Sequence, residues 1–155
     1  MKKLLLTLIF VMFLALPMQA EPAWTTGSGD QTFRSHAGSL YELNFNWTSD
    51  ASGDSVATSD WSINGYICKV ITNPGPTAPT ADYDITLTNE DGVDVVHGVL
   101  ADRHTTTSEE IIPVPGDNAT VYGCSIAIGR ITLNVSNAGN AKNGKVTVIF
   151  SREKY

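Results

Sequence analysis

The chain has 155 residues, 42% of them hydrophobic and 17% charged, with 16 acidic against 10 basic side chains and a net charge of −6. So acidic a chain, with few clustered bases, excludes nucleic acid as an expected partner, because phosphate binding depends on Lys and Arg. The same balance argues against adsorption to an anionic lipid surface.

The chain opens with Met1-Lys2-Lys3, a short positive start, followed by a 13-residue run over 4–16 that is apolar apart from Thr7. Pro17 breaks the run, and Met18-Gln19-Ala20 leads into the polar Glu21-Pro22. That order predicts a secretory signal peptide over 1–20. A membrane-spanning helix needs about 20 apolar residues, so an uncleaved anchor is the second expectation. Lys2 and Lys3 stay on the cytoplasmic side in both cases, so the bulk of the chain is expected to be secreted or periplasmic. Cleavage leaves 135 residues of net charge −8, the size of one domain, with no further transmembrane span expected.

Beyond the leader no stretch carries the apolar spacing of a helix, and short alternating runs are separated by Gly, Pro, Asn and Asp. Residues 21–39 form an extended lead-in, rich in Thr, Gly and Ser, that Trp24 and Phe33 are expected to pin to the core. The domain proper is 40–155. Strand 40–47 sets Leu43, Phe45 and Trp47 on one face and Glu42, Asn44 and Asn46 on the other. Segment 48–60 is a polar loop, and 63–72 is the second strand. The run 73–79 holds three prolines and is a loop, because each proline removes a backbone donor. Strand 82–88 points Tyr83, Ile85 and Leu87 inward. Asn89-Glu90-Asp91-Gly92 is a hairpin turn, and 93–100 is the returning strand.

A polar stretch over 102–117 is interrupted by a short strand at 111–114. Segment 120–136 is long and apolar but changes parity: Ile126 and Ile128 are even, while Ile131, Leu133 and Val135 are odd. A bulge or bend at Gly129-Arg130 would repair the register. Strand 145–150 closes the domain with Val146, Val148 and Phe150 inward. Six to seven half-polar strands predict an all-β, antiparallel two-sheet β-sandwich, with a small closed β-barrel as the alternative.

Cys68 and Cys124 are the chain's two cysteines. An even count in an exported chain makes a disulfide the default expectation. Alternation groups Tyr66, Cys68 and Val70 on one face, and Tyr122, Cys124, Ile126 and Ile128 on another. Both thiols are therefore expected between the two sheets, either bridged or as two separate buried thiols.

The runs Trp61-Ser62-Ile63-Asn64-Gly65-Tyr66, Thr72-Asn73-Pro74-Gly75, Ala78-Pro79-Thr80-Ala81-Asp82-Tyr83-Asp84-Ile85-Thr86-Leu87 and Asp91-Gly92-Val93-Asp94-Val95 resemble a group of small β-rich proteins encoded in tailed-phage and prophage genomes. The likeness covers about half of the chain after the leader and extends to Gly144-Lys145-Val146-Thr147. It implies a virion-associated or accessory structural role and carries over no functional residue. The chain departs from that group in its signal peptide.

Candidate sites are sparse. Asp91 and Asp94, in an acidic turn, are the weak calcium candidates, since calcium takes oxygen ligands in such loops; solvated turn acids are the alternative. Neither a cofactor nor a further metal is expected. His36, His97 and His104 show no zinc spacing. His97 shares the parity of Val93 and Val95. His104 beside Asp102 is the one arrangement a hydrolase could use. Among the aromatics, Trp47, Tyr66 and Tyr122 share faces with apolar neighbours, which leaves Trp61 as the candidate ligand contact.

The expected function is an exported, non-catalytic binding or structural module, with a protein or glycan partner at the cell surface or virion. Loops 48–60, 73–81 and 101–118 are expected to make the contacts. A small secreted hydrolase and a calcium-stabilised adhesive domain are the alternatives.

Overall fold

A computed structural model describes residues 31–114 and 122–153. Nine strands lie among them: β1 (Gln31–Ser35), β2 (Leu40–Thr48), β3 (Ser55–Thr58), β4 (Gly65–Pro74), β5 (Asp84–Thr88), β6 (Glu109–Ile111), β7 (Ser125–Ala127), β8 (Thr132–Ser136) and β9 (Asn143–Ser151). They form two antiparallel sheets. The larger runs β1-β2-β9-β4, and β6 and β7 share the far edge of β4; the smaller runs β3-β8-β5. Of all these pairs, only β1 and β2 are sequence neighbours. The chain otherwise passes repeatedly from one sheet to the other, and that crossing makes the all-β sandwich.

Period 2 accounts for the core. Leu43 and Phe45 of β2, Val146, Val148 and Phe150 of β9, and Ile67 and Val70 of β4 are all fully buried. Ile85 and Leu87 of β5 and Leu133 and Val135 of β8 meet them from the smaller sheet. Around Asn44, where β1, β2 and β9 meet, the outer face of the larger sheet is polar and paired. Asn44 donates to Thr32 at 3.2 Å and to Glu42 at 2.6 Å, and Thr147 donates to Asn44 at 2.6 Å. Burial works to raise Glu42, but the bonds from Asn44 and His36 and the charges of Arg34 and His36 outweigh it and hold the carboxyl below its ordinary range.

Several expected elements differ. Gln31–Ser35, placed in the lead-in, is a strand paired to β2, with Phe33 buried as expected; Trp24 and the signal peptide expected over 1–20 lie outside the described residues. Loop 48–60 contains β3. The expected strand at 111–114 instead ends at Ile111.

Segment 93–100 is not a returning strand. It runs beside β5 as consecutive turns, touching it through Val95 N–H to Leu87 O at 2.7 Å and Ile85 N–H to Leu100 O at 3.0 Å. Asp94 takes up backbone donors that a ladder would use, and His97 and Gly98 both adopt left-handed φ, +61° and +77°. The turn at Asn89 to Gly92 forms as expected, with Asn89 Oδ1 accepting from Asp91 and Val93 N–H.

The expected parity change in 120–136 does not occur: Ser125, Ala127, Ile131, Leu133 and Val135 are all buried, so the inward positions stay odd through the segment. β7 belongs to the larger sheet and β8 to the smaller, and the chain changes sheets between them. Gly129 turns the corner at φ +82°, a conformation side chains other than glycine's disfavour.

Candidate functional site

Ile67 of β4 stands opposite Phe150 of β9, and the next aligned pair is Lys69 with Ile149. Cys68 therefore sits in a bulge without a β9 partner. On the other side of β4, β7 aligns Ile67 with Ser125 and Tyr66 with Ile126. Continuing that register sets Cys68 opposite Cys124, and the two are bridged with Cα atoms 4.0 Å apart. The bridge is not between the sheets as expected. Cys68 is half-buried and Cys124 exposed, because both lie on the outer side of the larger sheet.

The same register turns the expected inward set outward. Ser125 and Ala127 are the buried residues of β7, while Tyr122, Ile126 and Ile128 are 66%, 62% and 72% exposed. Small residues face the core here, and the large apolar ones face solvent. The clue in the sequence is the odd parity of Ile131, Leu133 and Val135, which extends back to Ala127 and Ser125.

Two recesses adjoin segment 122–128. One, about 610 Å³, is lined by Val99, Ile111, Ile112, Val114 and Tyr122, with Arg103 and Glu110. The other, about 420 Å³, is lined by Val95, Ile126, Ile128 and Gly129, with Asn89, Glu90 and Asp91. Arg103 is held in place: it donates to the Ala101 carbonyl and lies 3.5 Å from Glu109. Lys69 and Glu110 pair at 2.7 Å beside the first recess. The arrangement is an apolar strip with paired charges at its border.

The other candidates have structural engagements. Asp94 Oδ1 accepts from Leu87 N–H at 3.3 Å and Val96 N–H at 3.1 Å, and Oδ2 from Gly98 N–H at 2.6 Å. Asp91 is exposed, and among the described residues no cluster of three or more His, Cys, Asp or Glu side chains could hold a metal ion. Asp50 caps its own loop, where backbone N–H groups of Asp54 and Ser52 hold its carboxyl below the ordinary range.

His104 Nδ1 accepts from Thr106 N–H at 3.1 Å and Thr107 N–H at 2.9 Å, so that nitrogen caps a turn. Asp102 donates its N–H to Asp84 Oδ1 at 3.1 Å, and among the described residues no hydrogen bond joins Asp102 to His104. His97, expected on a strand, is exposed in the turn segment with Nε2 3.3 Å from Ser125 Oγ. Trp61 is half-buried, its ring 5.6 Å from that of Phe33, in a group that continues through Tyr41 to Phe150. Of the three expected contact loops, residues 115–118 lie outside the described set.

The fold and this surface define a disulfide-bridged, two-sheet β-sandwich. No protein-family model matches the chain, and no curated protein matches it significantly.

Proposed function

We propose that the protein is an exported, non-catalytic β-sandwich module that binds a protein partner through the apolar strip over 122–128. The observation that carries this is the exposure of Tyr122, Ile126 and Ile128 beside two recesses. Large apolar side chains grouped on a surface mark contact sites, whereas scattered ones do not. Aromatic and branched side chains bordered by charges are the usual make-up of a protein interface. Export is supported by the order of charge, apolar run and breaker in the leader and by the bridge, which persists in oxidising compartments. The resemblance to phage and prophage proteins favours an assembly partner at the cell surface or virion.

The test is site-specific photo-crosslinking in the native host. A photoreactive residue at Ile128 is compared with one at Val56, which is 68% exposed on the outer face of the smaller sheet. A discrete adduct from position 128 alone, abolished by Ile126→Asp, is expected. Equal labelling from both positions, or none from 128, refutes the proposal.

A further inference from the structure

We infer that the Cys68–Cys124 bridge is a solvent-reachable latch whose reduction releases β7 from the edge of β4 while the two sheets remain folded. The inference is independent of whether the strip binds a partner.

Three observations carry it. First, few other contacts hold β7: Ser125 Oγ lies 3.3 Å from His97 Nε2, and Gly123 N–H donates to the Pro113 carbonyl at 3.0 Å just ahead of the strand. β7 aligns with β4 at three positions only, and its inward residues are Ser125 and Ala127. Burying such small side chains contributes little, because apolar stabilisation scales with the area removed from water. Ile126, which could anchor the strand, points out. Second, the corner after β7 is fixed separately. Ile63 N–H donates to the Gly129 carbonyl at 2.9 Å, and Gly129 N–H donates to Asn64 Oδ1 at 3.0 Å. Release of β7 therefore stops at the corner and does not reach β8. Third, Cys68 has no partner on β9, so opening the bridge removes nothing from the β4–β9 ladder. Ile67 and Val70, the buried anchors of β4, keep their places.

The chemistry is thiol–disulfide exchange with a dithiol reductant. Its thiolate attacks Sγ of Cys124, the more exposed residue of the two, and Cys68 leaves as a thiolate that takes up a proton. The reductant's second thiol then closes on the mixed disulfide and releases the Cys124 thiol. Two electrons and two protons pass from the dithiol to the bridge. The product has a free edge at residues 65–67 of β4 and a 124–128 segment released from the bridge, with Gly123 N–H still bonded to the Pro113 carbonyl.

Dithiothreitol is added to the oxidised, processed protein without denaturant. Alkylation followed by mass spectrometry counts the thiols, and hydrogen exchange is mapped by segment. The expected result is reduction under native conditions, with exchange at 65–67 and 124–128 faster by about tenfold or more and protection in β2, β9, β5 and β8 retained. The Cys68→Ser/Cys124→Ser double variant should show the same pattern. Three results overturn the inference: a bridge that resists dithiol until the chain is unfolded, reduction with no change at 124–128, and loss of protection in β9. Failure of the double variant to fold counts with the last if the reduced natural chain also loses β9 protection. If the reduced chain keeps it, the reduced protein decides the matter.

Discussion

Gln31 belongs to the larger sheet, yet its side chain is bonded to Thr58 of the smaller one: Nε2 donates to the Thr58 carbonyl at 2.8 Å, while Oε1 accepts from Asp60 N–H at 3.2 Å. The amide is 1% exposed and closes the gap where β1 and β3 approach. Gln31→Leu keeps the volume but strands a carbonyl and an N–H. Each unsatisfied buried group costs about 1–3 kcal/mol, so a loss of roughly 2–6 kcal/mol is expected in urea unfolding. Gln31→Glu should be worse at neutral pH, where a carboxylate would face the Thr58 carbonyl, and should recover on acidification.

Asp94 is a cap for three backbone donors rather than a free ligand. Asp94→Ala should destabilise the domain by about 1–3 kcal/mol and loosen the 93–100 turns first, seen as faster hydrogen exchange there. Because its oxygens are engaged, added calcium or a chelator should leave the melting temperature of the natural chain unchanged. A rise with calcium would mean that the ion displaces those bonds, since a ligand specific for the folded state must raise stability.

Strands that bury large residues at period 2 are legible in the sequence. Leu43, Phe45 and Trp47 mark β2, Ile85 and Leu87 mark β5, and Val146, Val148 and Phe150 mark β9. β3 is not legible, because its largest apolar residue, Val56, points to solvent and pairing with β8 holds the strand. Segment 93–100 has the apolar content of a strand, but the competition of Asp94 for backbone donors is a local effect that parity does not register. The candidate strip is misplaced for a related reason. Apolar side chains at 122, 126 and 128 imply a buried face when alternation is taken alone. Which face of β7 is inward depends on its register with β4, a long-range contact. The pairing of the cysteines is legible from their number and the expected compartment; their outward position rests on that same register.

Two neighbouring inward positions should move stability in opposite directions. A Cβ on Gly144 of β9 would stand 2.6 Å from Trp47 Cζ2 and 2.9 Å from the Asn73 carbonyl. Trp47 is 4% exposed, with Tyr83 5.7 Å away, so the ring must shift from its packed position to admit the Cβ. Gly144→Ala should cost about 1–3 kcal/mol or more and shift the tryptophan emission. On β4, Thr72 Oγ1 is buried with no hydrogen-bond partner among the described residues. Thr72→Val removes an unsatisfied hydroxyl at nearly constant shape, so stability should hold or rise by up to about 1 kcal/mol. A large loss at Thr72→Val would reveal a partner for the hydroxyl.

Tyr83 sets an alkaline limit on the fold. Burial, reinforced by the Glu109 carboxylate and partly offset by Arg103, pushes its phenol up to about 12. An unfolded tyrosine ionises near pH 10. The folded chain thus holds this proton more tightly than the unfolded one. The stabilisation is fully present below pH ~10 and drains away as pH rises from there towards ~12, by roughly 3 kcal/mol at most. Urea midpoints measured across that window should fall, and tyrosinate absorbance should show one residue ionising late. Tyr83→Phe removes the proton that links folding to pH and should flatten this part of the profile. If the variant kept the full alkaline slope, the linkage would lie with another group.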